Sequence, residues 1–269
     1  ATNDTKVILK LFIKYGYDSF KMLRGMFAIA IWQPKEKKLI LVRDRFGIKP
    51  LYYYYKNNTI YFASEINALN KMGVNKIYEN KSIKNYLVNG ILENNIDTLY
   101  KNIFPVKPGT IMTISNNNLI IKKFWNSKLN SHKFFKKNEI KDAIKDKLNE
   151  VIKLHLISDV KIGITLSSGI DSQILLKYML KQNIDINAYT YGYENKLYDE
   201  SNYVKDKYKD LKIKKIRSVL KSNNLIEELR EAINYFESPL GGLGTLSFFK
   251  LMKEIRSDNT KVILSGEGG

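Results

Sequence analysis

The chain has 269 residues, no cysteine, two histidines and a formal net charge of +18. At roughly 150 residues per domain, the length points to about two domains, each able to bury a core, and excludes a peptide or a disulfide mini-protein. The lack of cysteine excludes a disulfide, a thiolate metal site and a cysteine nucleophile within these residues, and His132 and His155 leave little for a zinc site. Hydrophobic residues at 44% and charged residues at 27% lie in the ordinary globular range. The charge invites a nucleic-acid partner, but it is carried by 39 lysines and six arginines spread along the chain. Base readout and bidentate phosphate clamps lean on arginine, so a general lysine bias accounts for the charge and no nucleic-acid partner is expected. The longest apolar stretch, Met26–Trp32, is far short of the roughly 20 residues that cross a bilayer, so no membrane partner is expected either.

In chain order, a helix is expected at Val7–Tyr15, followed by strands at Met26–Trp32, Leu39–Val42, Leu51–Tyr55 and Thr59–Phe62. Two more are expected at Thr110–Ile114 and Leu119–Phe124, after the turn Pro108-Gly109. Asn57-Asn58 and Asn116-Asn117-Asn118 are turn chemistry, so these strands read as antiparallel hairpins. The tyrosines Tyr52 to Tyr55 are explained by alternating strand burial rather than by base stacking.

The period then changes. A helix from Asn138 to about Leu156 precedes strands at Ile162–Leu166, Ile186–Tyr191, Lys212–Arg217 and Val262–Ser265. Between them lie helices at Asp171–Lys181, Glu200–Lys209, Asn224–Phe236 and Thr245–Ile255. Such alternation means βαβ units and a parallel sheet covered on both faces. The expected fold is α+β followed by α/β, with the domains divided as 1–128 and 129–269 within the polar segment Asn126–Asn138.

The chemistry is concentrated where strand Ile162–Leu166 runs into Ser167-Ser168-Gly169-Ile170-Asp171-Ser172 and a helix. Small residues let successive N–H groups point into one concavity, and the positive helix end adds its dipole. Asp171 would repel a bare phosphate but could hold Mg²⁺ bridging to pyrophosphate oxygens. No Gly-Lys-Ser/Thr phosphate loop is present, and Gly242-Leu243-Gly244 lacks the third glycine of a dinucleotide fingerprint. Six residues alone leave open a simple helix N-cap, since Ser and Asp are favoured capping residues.

The surrounding motifs carry a resemblance. Leu166 to Ser172 resembles the Ser-Gly-Gly-x-Asp-Ser pyrophosphate loop of N-type ATP pyrophosphatases, with Ser168 in place of the first glycine. Met26–Trp32, Arg43–Tyr53 and Phe62–Leu69 resemble the later part of a class II glutamine amidotransferase domain. Tyr198-Asp199-Glu200-Ser201 and Val262 to Gly269 are similar to motifs of the glutamine-hydrolysing asparagine synthetases, and on these motifs, in this order, the chain is identified as a member of that family.

The resemblance implies an incomplete glutaminase domain of the N-terminal-nucleophile-hydrolase type, then a parallel-sheet domain that binds adenine nucleotide. Glutamine would supply ammonia, and the second domain would adenylate aspartate for capture by that ammonia. ATP and Mg²⁺ are the implied cofactors and small molecules the implied partners. A cytoplasmic location is implied, and a homodimer is admitted. Ser167, Ser168, Gly169, Asp171 and Ser172 match the pyrophosphate loop, with Asp171 as metal ligand and catalytic residue. Thr165, Tyr191, Ser265 and Gly266 match the positions that hold adenosine, and Glu267 matches the acid proposed to assist the amide-forming step. Asp4 matches the acid that binds the glutamine α-amino group, and a helix N-cap is its other reading. The family's N-terminal cysteine and the Asp-Glu after Gly-Glu-Gly-Gly are not found here, so a fragment cut at both ends, inactive in glutamine hydrolysis, is expected.

Ser168 is tolerable if its φ is negative and costly if a glycine conformation is required. The run Ser238 to Thr245 replaces the polar stretch that helps hold aspartate in the family, which favours a different carboxylate acceptor as a second reading. An RNA-modifying ATP pyrophosphatase and a catalytically incompetent relative stand as further alternatives. Arg43, Asp44 and Arg45 suit a structural role at a strand end.

Overall fold

A computed structural model describes residues 3–90, 97–116, 118–127, 136–182, 186–197, 199–210, 214–220 and 222–266. It divides into two compact units, Ala1–Asn130 and Ser131–Gly269.

The first unit opens with α1 (Asp4–Tyr15), capped by Asn3, whose side chain accepts the Thr5 N–H at 2.9 Å. The cap is therefore Asn3, and Asp4 lies exposed in the first helical turn. A 3-10 turn and α2 (Ser19–Met22) lead into β1 (Ala28–Gln33), β2 (Lys38–Arg43), β3 (Tyr52–Lys56) and β4 (Thr59–Ala63). Then come α3 (Ile66–Lys71), α4 (Asn80–Asn89), β5 (Ile103–Pro105), β6 (Thr110–Ser115) and β7 (Asn118–Lys123). Two antiparallel sheets result, in the orders β1-β2-β6-β7 and β4-β3-β5. The turn between β3 and β4 places Asn57 and Asn58 at φ of 50° and 61°, left-handed values that asparagine tolerates and a tight hairpin needs.

Strand alternation explains the layering. Leu39 and Leu41 of β2, with Met112 and Ile114 of β6, pack on Tyr53 and Tyr55 of the other sheet. Ile40 and Val42 point the opposite way, onto Phe12 of α1 and Phe20 of α2. Tyr52 and Tyr54 turn from the sheet interface towards Ile66 and Leu69 of α3. The order is helix, sheet, sheet, helix, and β2 is buried from Leu39 through Arg43 because both its faces are covered.

At the end of β2, buried Asp44 accepts four backbone N–H groups, from Phe27, Phe46, Ile48 and Lys49, at 2.9–3.3 Å. Arg43 donates to the carbonyls of Lys49, Val106 and Gly47, and Arg45 to those of Leu23 and Lys21. These three residues tie loops to a strand end.

The second unit contains α5 (Lys137–His155), β8 (Ile162–Thr165), α6 (Ile170–Leu180), β9 (Asn187–Tyr193), α7 (Ser201–Lys207) and β10 (Lys214–Leu220). After a 3-10 turn follow α8 (Leu225–Phe236), α9 (Leu243–Ser257) and β11 (Val262–Leu264). The sheet is parallel, in the order β10-β9-β8-β11. Ile152, Leu176, Met179 and Val204 cover one face, and Leu246, Leu251 and Ile255 of α9 cover the other. Successive strands add on one side of β8 until the chain crosses over to place β11 on the other. The strand order thus reverses between β8 and β11, and a crevice opens at the carboxyl ends there. Of the strand expected at Lys212–Arg217, Lys212 and Ile213 lie outside the described residues, as do His132 and Asn117. Among the described residues no helix is long and apolar enough to cross a membrane.

Candidate functional site

β8 passes through Leu166-Ser167-Ser168-Gly169 into α6. The Leu166 N–H donates to the Tyr189 carbonyl at 2.8 Å, which carries the β8–β9 pairing one residue into the loop. Beyond it the Ser172 hydroxyl, on a buried side chain, organises the turn. It accepts the Ser167 N–H at 3.1 Å, lies 3.1 Å from the Ser167 hydroxyl and 3.1 Å from the Gly169 carbonyl. The Ser167 hydroxyl in turn accepts the Gly169 N–H at 3.1 Å. Asp171 sits in the first turn of α6, exposed, beside first-turn amides that have no acceptor within the helix. Ser168 is not among the residues with positive φ, and Gly169 has φ −64°. The substitution of serine for glycine therefore carries no backbone strain.

Facing this turn is the end of β11. A Cβ on Gly266 would lie 2.7 Å from the Ser172 nitrogen and 3.1 Å from the Asp171 Cβ, so only glycine lets that backbone approach the helix N-terminus. Between them is a cavity of about 150 Å³ at the strand-order reversal, lined by the loop, by Tyr189, Thr190 and Tyr191 of β9, by Phe248 and Leu251 of α9, and by Ser265 and Gly266.

Of the residues expected at a nucleotide site, Thr165, Ser167, Gly169, Asp171, Ser172, Tyr191, Ser265 and Gly266 line this one cavity. Ser168 points elsewhere: its N–H donates to Glu200 at 3.3 Å and its hydroxyl donates to the same carboxylate oxygen. Glu267 lies outside the described residues. Asp4 belongs to the first unit.

Sequence reasoning missed three parts of this region. The sequence pattern marks Phe248 and Leu251 only as helical, yet they wall the cavity, and their spacing of three on α9 is the signal that they share a face. Tyr189 is fully buried, with its hydroxyl 2.6 Å from Asp258 and 2.6 Å from Thr260. Burial, reinforced by the Asp258 contact, raises its phenol above the ordinary value. Arg217 of β10 donates to Asp199 at 2.6 Å and also to the Ser201 hydroxyl, and the Asp199 side chain is only 2% exposed. Burial pushes the Asp199 carboxyl up, but hydrogen bonds from Ser201 and Arg217 outweigh it and hold the carboxyl below the usual range. Gly192 fits here because a Cβ would collide with Asp199 and lie 2.8 Å from the Ser201 hydroxyl.

Among the described residues no group of three or more His, Asp or Glu could cage a metal by itself. Magnesium is usually held by one or two carboxylates together with substrate phosphates and water, and exposed Asp171 at the α6 N-terminus, lining the cavity, fits that mode.

Fold and cavity define an α/β protein with a turn of small residues and a helix N-terminus at its topological switch point, preceded by a two-sheet unit. Comparison with known proteins gives this class a family. Residues 1–125 match the family model described as a glutamine amidotransferase domain, and residues 143–269 match the one described as asparagine synthase. The chain belongs to the family of glutamine-hydrolysing asparagine synthetases. It is 30% identical over 272 residues to asparagine synthetase 1 (glutamine-hydrolyzing) of Bacillus subtilis, covering 99% of this chain and 42% of that protein. A provisionally named asparagine synthetase 2 (glutamine-hydrolyzing) of Methanocaldococcus jannaschii is 29% identical, with 99% and 52% covered. The amidase chry2 of Gibberella zeae is 23% identical, with 100% and 42% covered. The chain spans about half the length of these relatives.

Proposed function

We propose that the chain is part of a glutamine-dependent ligase that uses ATP to amidate aspartate to asparagine through an acyl-adenylate, releasing AMP and pyrophosphate. The observation that carries this reading is the cavity at the β8/β11 reversal, where the Ser167–Ser172 turn, the α6 N-terminus and Ser265-Gly266 converge. Residues 1–128 supply the later part of a glutaminase domain of the N-terminal-nucleophile-hydrolase type, with Asp4 receiving the glutamine α-amino group. Residues 129–269 supply the first part of the synthetase domain.

In this reading the aspartate side-chain carboxylate attacks the α-phosphorus of ATP and the bond to pyrophosphate breaks. First-turn amides of α6 and the loop hydroxyls stabilise the charge that develops on the leaving oxygens. Magnesium, when bound, offsets the charge of the phosphates, and Asp171 would hold it. Thr165, Tyr191, Ser265 and Gly266 hold the adenosine, and Phe248 and Leu251 exclude water from one wall. Ammonia then attacks the acyl carbon, AMP leaves, and the proton lost by nitrogen passes to a base, the role the family resemblance gives to Glu267.

A second reading keeps this chemistry and changes the acceptor. It is favoured by the run Ser238 to Thr245, which offers no charged side chain to an amino-acid substrate.

The deciding experiment supplies the full-length protein with MgATP, glutamine and aspartate and scores AMP plus pyrophosphate against ADP plus phosphate. Aspartate-dependent AMP with asparagine as product is expected. AMP formed only with another carboxylate moves the acceptor, and no turnover with any acceptor refutes the ligase. Asp171→Asn should lower AMP formation by about a hundredfold or more, roughly the 3 kcal/mol that a charged contact to a metal-nucleotide is worth, with the melting temperature unchanged.

A further inference from the structure

Glu200 is exposed and stands directly before α7, yet it reaches the nucleotide loop. Its carboxylate accepts both the Ser168 N–H, at 3.3 Å, and the Ser168 hydroxyl. Those are donors of a turn suited to binding anions, and here an anion belonging to the protein occupies them. The contact depends on serine, since glycine at 168 would leave the carboxylate one donor instead of two. The rest of the region fixes both partners. Gln173 donates to the Ser168 carbonyl, and Lys207 of α7 donates to Gln173. Behind Glu200, the buried Asp199 and Ser201 are pinned by Arg217. The carboxylate is therefore held at the loop by its neighbours on both sides in sequence.

We propose that Glu200 is a positioning residue that acts through Ser168 as a built-in competitor at the nucleotide loop, so that the loop admits a metal-loaded nucleotide and disfavours a metal-free one. This rests on the nucleotide reading of the cavity. A polyphosphate bound along Ser167 and Gly169, the neighbours of Ser168 that line the cavity, lies next to the residue that holds the Glu200 carboxylate, and it can use the Ser168 N–H only by taking it from Glu200. Repulsion between the two anions is strongest for free ATP and is relieved when a divalent cation offsets the phosphate charge. Glu200→Gln keeps the size and an accepting oxygen but removes the charge.

The test is calorimetric titration of the full-length protein with ATP, with and without magnesium, in the parent, Glu200→Gln, Ser168→Gly and the double variant. Glu200→Gln should bind metal-free ATP about tenfold more tightly, the worth of one charge-assisted hydrogen bond, and MgATP less than about threefold more tightly. Ser168→Gly should shift metal-free binding in the same direction, and the double variant should fall within about twofold of Glu200→Gln, because both changes act on one contact. A residue with a purely structural role would change both affinities alike, and that result, or unchanged or weaker metal-free binding in Glu200→Gln, overturns the proposal. Failure of the parent and every variant to bind ATP with or without magnesium overturns the nucleotide reading itself, and the proposal with it.

Discussion

Asp199 shows how a buried charge stabilises this protein. Its carboxyl is held below the ordinary value of about 4, so its contribution is complete above that pH and fades as pH falls through the folded value. Asp199→Asn should cost about 1–3 kcal/mol at neutral pH, and its urea midpoint should fall less between pH 5 and pH 3, roughly the window of that titration, than the parent's does. Gly266 poses a different constraint, one of space. With a Cβ 2.7 Å from the Ser172 nitrogen, Gly266→Ala must push the strand end from the helix, costing about 1–3 kcal/mol in urea unfolding and weakening ATP binding in titration. A substitution that lowered neither quantity would remove the close approach from the account.

Segments whose local pattern agreed with their burial were legible from the sequence. The run Ile162–Leu166 sufficed because it buries what its pattern predicts, whereas the spacing of α5 sufficed for a helix although that helix buries only Ile152 and leaves Ile140 and Ile144 exposed. The tyrosines of β3 also read correctly, since alternation sends Tyr53 and Tyr55 inward between the sheets. α3 and α4 escaped notice for physical reasons. α3 is only six residues long, with Ile66 and Leu69 as its buried pair, and α4 buries none of its residues. Three-residue β5 is likewise too short to establish a period. Within the site the turn was readable from its small residues. The Glu200 contact was not, because no sequence spacing reveals a partner 32 residues away. The β2 terminus had shown only charge. Asp44 proves to be the knot of that element, and Asp44→Ala would orphan four amides at once. A loss of about 3–5 kcal/mol is expected, followed by tryptophan fluorescence in urea, to which Trp32 and Trp125 of this unit contribute. A loss under about 1 kcal/mol would mean that water satisfies those amides equally well.

Each unit of the molecule carries its own core, and the positive charge lies over both. Its lysine origin predicts only non-specific attraction for nucleic acid. Duplex DNA or tRNA should bind with micromolar affinity at best in about 50 mM salt and be released by about 200 mM, as counterion release requires. Sequence-selective retention at the higher salt in a gel-shift assay would contradict this.

The pairing of β8 with β11 joins residues a hundred positions apart, Ile162 with Val262 and Ile164 with Leu264. During synthesis the loop and α6 emerge long before the strand that completes their crevice, and every βα unit between them must be made first. On the proposed nucleotide reading, capture is therefore withheld from the nascent chain until β11 inserts, and a ligand present during refolding should trap the insertion of β11 rather than seed the earlier sheet. The cell's nucleotide pool would then act on this protein as a late proofreader of folding.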